Sequence, residues 1–340
     1  MLGGLAQAGT KALGGDRFSL LSVLPGAIVV TTVSVLVGAH AYDPGREMDL
    51  GDALPADHKL VTLGFAAVGI FLGGVLLRPF EMALIQLLEG YWPEGSLRGR
   101  VRPLAVERHR RLRDRAAALE ETRAVLPPEP SSLTQLARFH RALAREGRIV
   151  ERARRRGAKY SRDNSELMPT ALGNTLKSME ERTGRRHGID VLSAYRRIYP
   201  SVAPEFRQAV EEQLDLISVT SSLCLAFGAV SLAASPLILR LSWWTLVVPA
   251  AMMASALAYR GAQKAAQDHE ELLKAVFDVH RFDLAAALHY ELRTTAAEER
   301  ELNSRITAFL IGNEPLADHD SLKDEPLTHP ENTPPRPTPP

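Results

Sequence analysis

Residues 216–259 read LISVTSSLCLAFGAVSLAASPLILRLSWWTLVVPAAMMASALAY and contain one charged residue, Arg240. Pro236 and Arg240 divide the stretch into two apolar runs, 216–239 and 241–259. Each is close to the roughly 20 residues a helix needs to cross about 30 Å of hydrocarbon. A soluble helix of that length normally keeps charge along one face, and neither run does. Two more runs lie upstream: 18–42, uncharged throughout, and 60–77, bounded by Lys59 and Arg78. The fold class this predicts is all-α: an integral membrane protein with four transmembrane helices, two N-terminal and two central-to-C-terminal, and a helical cytoplasmic domain. The spans are drawn at 18–42, 60–79, 214–236 and 242–260, with an outer loop at 43–59 and a short outer turn at 237–241.

The 340 residues sum to a net charge of +1, but that average hides a strong segregation. The loop 43–59 carries Asp43, Glu47, Asp49, Asp52 and Asp57 against Arg46 and Lys59. Burying such charges costs about 3 kcal/mol apiece, so the first two spans cannot merge. Residues 78–213 hold 27 Lys and Arg against 18 Asp and Glu. The positive-inside rule therefore places this segment, and both termini, in the cytoplasm, with Lys11 and Arg17 reinforcing the orientation. The abundance of Arg over Lys, and of Ala, suits a GC-rich bacterial genome, and the inner (plasma) membrane is the expected location. Ala39-His40-Ala41 also resembles a signal-peptidase site. The first run exceeds a signal core of about 7–15 residues, which favours a retained span over cleavage after Ala41.

Within the spans no ionisable side chain lies at depth, which argues against proton-coupled transport and voltage sensing. Small residues recur four apart: Gly69 and Gly73, Ser222 and Ala226, Ala229 and Ala233, and Ala250, Ala254 and Ala258. Such pairs let helices approach closely, either inside one bundle or between subunits. Internal packing is the simpler reading; an oligomer or a pore is the other. The lone Cys224 excludes an intrachain disulfide and a cysteine-based zinc site.

The cytoplasmic segment opens with a helix carrying Phe80, Leu84, Leu87 and Leu88 on one stripe, ending near Gly90. A second follows with Ala105, Leu112, Leu119 and Leu126 as a seam at sevenfold spacing. Its arginines Arg98, Arg100, Arg102, Arg108, Arg110 and Arg111 suit anionic lipid headgroups, each such contact contributing about 1 kcal/mol, or else form a solvated basic face near the membrane. No interleaved aromatics or nucleic-acid fold signature accompany them, so no nucleic-acid partner is expected. A third helix over 132–159 has Leu133, Leu136, Ala137, Phe139 and Leu143 as its core face.

Residues 167–200, LMPTALGNTLKSMEERTGRRHGIDVLSAYRRIYP, form the most idiosyncratic segment. Thr170 is placed to cap a helix carrying Leu172, Leu176 and Met179, and Asp190 a second one bearing Leu192, Tyr195 and Tyr199. Gly173 falls in the first turn, where glycine costs up to about 1 kcal/mol against alanine, so close backbone packing is the expected reason for it. The string Pro169, Thr170, Leu172, Gly173, Asn174, then Glu180, Gly188, Asp190 and Arg197, resembles a segment of a group of uncharacterised multi-pass membrane proteins from actinobacteria and other bacteria. His187 and Tyr195 depart from that group's pattern, which has Tyr or Phe and Trp there, and the Pro before the second Arg is missing. The resemblance implies a bacterial integral membrane protein and no particular activity.

Glu180, Glu181, His187, Asp190 and Arg197 are residue types that acid–base or metal chemistry uses. Adjacent carboxylates on a helix point about 100° apart, however, and no metalloprotease, nucleophile-elbow or phosphate-loop spacing is present. We therefore expect Thr170, Gly173, Asn174, Glu180, His187, Asp190 and Arg197 to serve interaction or coupling, with no catalytic residue, cofactor or metal. From Pro204 a helix is expected to run unbroken into the third span, coupling the two rigidly. Residues 261–312 read as a cytoplasmic helical tail: a helix through Phe277, a separate one over 281–292, and a third opened by a capping box at Thr295 and Glu298. His269, His280 and His289 lack metal spacing. Residues 313–340 are rich in proline and read as disordered. The function these features favour is a membrane-anchored interaction or signalling scaffold, homo-oligomeric or bound to an unknown protein. An oligomeric channel is the alternative, and a cytoplasmic-face enzyme the third.

Overall fold

The computed structural model describes residues 20–43, 45–46, 48–49, 51, 68–69, 71, 81–93, 95–121, 132–161, 163–240, 242–312, 322 and 325–327. These residues are helical with no strand among them, so the all-α expectation holds. The helices are α1 (Leu20–Gly38), α2 (Glu81–Glu89), α3 (Leu97–Glu121), α4 (Leu133–Gly157), α5 (Ala171–Gly184), α6 (Val191–Ile198), α7 (Pro204–Ala233), α8 (Val247–Ala287) and α9 (Ala296–Ile311). They group into two compact units, 1–91 with 214–265, and 92–213 with 266–340.

One helix among the described residues, Pro204–Arg240, is long and apolar enough to cross a membrane, with a mean hydropathy of 2.0 over its most apolar window. It joins α7 to a short 3-10 stretch, Ser235–Arg240. A shorter apolar helix covers Val23–Gly38. The fourth apolar run becomes two pieces, a 3-10 turn Trp243–Leu246 and the start of α8. At 1.5 Å per residue the apolar part of α8 alone extends only about 20 Å before Arg260. Most of 60–79 lies outside the described residues. So does Gly73, whereas a Cβ on Gly69 would stand 3.6 Å from Val30 Cγ1.

In the first unit, the helix pair formed by 214–233 and 247–265 is joined along a seam of small side chains. Ser255 Oγ donates to the Cys224 carbonyl (2.8 Å), and Ser231 Oγ to the Val248 carbonyl (3.2 Å). A Cβ on Gly261 would lie 3.4 Å from Thr220 Cγ2, and one on Gly228 3.7 Å from Ser255 Oγ. Of the expected pairs, Ala226 lies buried on the seam with Ser221, Cys224 and Ala251, whereas Ala229 and Ala250 are exposed. The outer faces carry Leu232 (76% exposed), Leu239 (87%), Met252 and Met253. Arg240, the one charge in 216–259, is absorbed locally. Its guanidinium donates to the carbonyls of His40 and Arg46, each at 2.9 Å, and of Asp43, supplying donors to the turn that ends α1.

The core of the second unit forms around Phe277, Leu284, Ile198, Val210 and Ile306, side chains brought together from α6, α7, α8 and α9. α3 and α4 pack against each other but bury little. Here the expected core faces are corrected: Leu112, Leu119, Leu133, Leu136 and Leu143 are all exposed, and the one buried residue of α4 is Ala153. Their helical period is present, but among the described residues no further element covers the faces they form. On α6 the buried residues are Val191, Ala194 and Ile198, and Leu192 points out. Of the separate helix expected over 281–292, residues 281–287 are instead the last part of α8, and 288–292 are turn and bridge outside any helix. Within 313–340 four residues are described, and they depart from a structureless tail. Leu322 is buried in the core, Glu325 accepts from Arg293 and Arg305, and Leu327 bridges to Tyr290.

Candidate functional site

Thr170 caps α5 as expected, its Oγ1 accepting from the Gly173 amide at 3.0 Å. Asn174, 1% exposed, faces back across the same turn. Its Oδ1 accepts from the Met168 amide (3.0 Å), and its Nδ2 donates to the Met168 and Thr170 carbonyls (2.7 Å each). Every donor and the acceptor of this side chain is engaged, which is the condition for burying an amide without a large loss. Asn174 therefore ties the loop before α5 to the helix and has nothing left for a ligand. Gly173 is buried beside it.

The link between α5 and α6 depends on two other glycines. At Gly184 an added Cβ would stand 2.0 Å from the Ile189 carbonyl oxygen. Gly188 adopts φ 72°, in the left-handed region, with the Arg300 carbonyl 2.3 Å from where its Cβ would be. α9 grips this turn from the far end of the sequence. Asn303 Nδ2 donates to the His187 carbonyl (3.0 Å), Thr307 Oγ1 donates to the Gly188 carbonyl (3.2 Å), and Thr307 Oγ1 accepts from the Asp190 amide (3.1 Å). Asp190 in turn caps α6, its Oδ2 accepting from the Ser193 amide at 2.8 Å.

The remaining polar residues of the segment do not converge. Glu180 pairs with Lys177 at 2.9 Å. Glu181 accepts from Ser161 Oγ (2.5 Å) and faces Arg185 (3.4 Å). His187 Nε2 lies 3.0 Å from Asp278 Oδ1, to which Arg186 also donates. Burial pushes the Asp278 carboxyl up, but the hydrogen bonds and charges of His187 and Arg186 outweigh it and leave the group below the usual carboxylate range. Arg197 is exposed and donates to the Ser193 carbonyl of its own helix (2.6 Å). Among the described residues no three or more His, Cys, Asp or Glu stand together as a metal would need. Gly184 marks the end of α5 as its residue type suggests, whereas Asp278, Asn303 and Thr307 had no sequence signal, because each acts through a partner remote in the chain.

The arginines of α3 take two different positions. Arg98, Arg100, Arg102, Arg108 and Arg111 are exposed and Arg110 half-buried, with Arg110 and Arg111 sharing Glu107 (3.5 and 2.8 Å). Arg113, from the same basic stretch, lines a cleft of about 670 Å³ together with Arg154, Arg155 and Arg182. Tyr160 stands in its wall, its hydroxyl 3.2 Å from His109 Nδ1. Burial, and then the charge of Arg108, hold the His109 imidazole below its ordinary value, so it is neutral at pH 7. No protein-family model, curated protein or solved structure matches the chain.

Proposed function

We propose that the protein is a multi-pass bacterial plasma-membrane protein that acts as a membrane-anchored interaction or signalling scaffold. In this reading the four spans lie at 18–42, 60–79, 214–236 and 242–260, and both termini are cytoplasmic. The observation that carries it is the stretch 216–259, which leaves Leu232, Leu239, Leu246, Met252, Met253 and Leu257 exposed and holds Arg240 as its one charge. Apolar surface of that extent has no stable place in water, whereas lipid accepts it. The scaffold role is supported by 167–200, whose polar side chains are spent on internal ties, and by α3 and α4, whose arginines and apolar residues both face outward.

The pore alternative is less well supported. Thr220, Ser231 and Ser255, hydroxyls suited to line a pore, donate instead to the Leu216, Val248 and Cys224 carbonyls.

Topology is tested by placing single cysteines and labelling intact cells with an impermeant maleimide, with Cys224 buried as the internal background. Asp49→Cys is expected to react from outside, and Arg111→Cys only after lysis; the reverse pattern overturns the orientation. Pull-down through a tagged C-terminus from native membranes reads the scaffold role. Reproducible single-channel current from purified protein in bilayers would replace it with the pore.

A further inference from the structure

The cleft between α3, α4 and the end of α5 has the chemistry of a built anion site. Its volume, about 670 Å³, is in the range of small-molecule pockets. Arg113 forms part of the floor and is held in place, its Nη2 donating to Asn164 Oδ1 (2.6 Å) and Asp114 Oδ1 (3.0 Å). Arg182 is anchored less tightly, with Nη2 3.5 Å from the Gly157 carbonyl. At the rim, Arg154 and Arg155 turn only their Nε atoms to Glu151, at 3.3 and 2.7 Å. Among the described residues the terminal nitrogens of both rim arginines donate to no acceptor. Against these four guanidinium groups the lining holds a single acid, Glu120.

Arg113 is paired with Asp114, and Arg154 and Arg155 share Glu151, so with Glu120 three carboxylates stand against four guanidinium groups and the cleft keeps a net positive charge that an anion would relieve. A phosphomonoester carries between about −1.5 and −2 at pH 7, and its oxygens match the planar fork of arginine two at a time. We propose that this cleft binds a ligand through a phosphate group, with the Arg154 and Arg155 forks taking the phosphate over the Arg113 and Arg182 floor. The residues involved all belong to α3, α4, α5 and the turn after α4, so the site does not rest on the membrane reading. A soluble phosphate compound and a lipid phosphate headgroup share this chemistry.

The test uses the purified full chain in neutral detergent. One calorimetric arm titrates inorganic pyrophosphate, and the other mixed micelles containing phosphatidic acid. The double variant Arg154→Ala/Arg155→Ala, at two exposed positions, is expected to weaken binding at least tenfold. The double variant Arg138→Ala/Arg141→Ala removes equal charge from the exposed start of α4 and is expected to change it less than twofold. Arg182→Gln reads the floor separately, with an expected several-fold loss. Cleft-dependent binding of pyrophosphate identifies a soluble source, and cleft-dependent binding of phosphatidic acid alone a lipid source; either supports the site. Binding in neither arm, or equal weakening by both double variants, overturns it.

Discussion

Residues 167–200 and the pair formed by α3 and α4 are both helical, both rich in arginine and both parts of the same unit, yet they spend their side chains in opposite ways. The first turns its polar groups inward: Asn174 closes its own loop, Asp190 caps α6, and Asn303 and Thr307 of α9 hold the turn between. The second buries little beyond Ala116 and Ala153 and leaves Leu104 (72% exposed) and Leu133 (86%) in the open beside its arginines. A polar group satisfied inside the fold contributes to stability and has no capacity left for a ligand. An arginine whose terminal nitrogens lack partners contributes little to stability and retains that capacity. Substitutions in 167–200 should therefore be read in unfolding, and those in α3 and α4 in binding.

The largest expected effect that would sharpen this contrast is at the two glycines. Gly184→Ala and Gly188→Ala each force a Cβ into a backbone carbonyl, and Gly188 adds a left-handed φ. Each is expected to cost about 3–5 kcal/mol, measured as loss of resistance to urea and to proteolysis. A variant that unfolds like the parent would show that the turn is not clamped. His269 comes next. It is 4% exposed with no partner at Nδ1, and burial pushes its imidazole down to about 4. The unfolded chain then takes up the proton first, near pH 6.5. Stability is full above that value and falls as pH drops towards 4, by about 3 kcal/mol in all. His269→Phe should flatten that slope, and an unchanged slope would assign the effect to other groups.

Asn174→Ala removes the side-chain partners of the Met168 amide and carbonyl in a buried turn, while the Thr170 carbonyl keeps the Asn174 amide, and should cost about 2–3 kcal/mol in the same denaturation experiment. On the other side of the comparison, Leu104→Ser and Leu133→Ser should change stability by less than about 0.5 kcal/mol. A loss above about 1.5 kcal/mol would break the contrast by showing these side chains to be covered. Arg197→Ala, on the exposed side of α6, is expected to be the smallest, within about 0.3 kcal/mol in thermal unfolding.

Much of the local architecture was legible in the residues. The caps at Thr170, Asp190 and Thr295, the start of α7 at Pro204 and the end of α2 at Gly90 all lie where their residue types place them. Capping is a hydrogen bond across three residues, and the chain carries both partners side by side. The candidate site was legible only in outline. Thr170, Asn174 and Asp190 are important, but as internal ties. Glu180 and Arg197 face away from any common point, and the four cleft arginines come from three different helices.

By itself the sequence determined that the chain is helical, where most helices begin and end, and that 216–259 carries a single charge. Those properties follow from hydrogen bonds within a turn and from side-chain transfer energies, which need no knowledge of neighbours. Only the tertiary structure decided which faces are covered: the seam through Ser221, Cys224 and Ser255, the open faces of α3 and α4, and the close approach of Arg300 to Gly188. It also decided which arginines meet around one cleft. Burial and convergence depend on pairs of elements far apart in the chain, and a helical period states that a face exists without stating what lies against it.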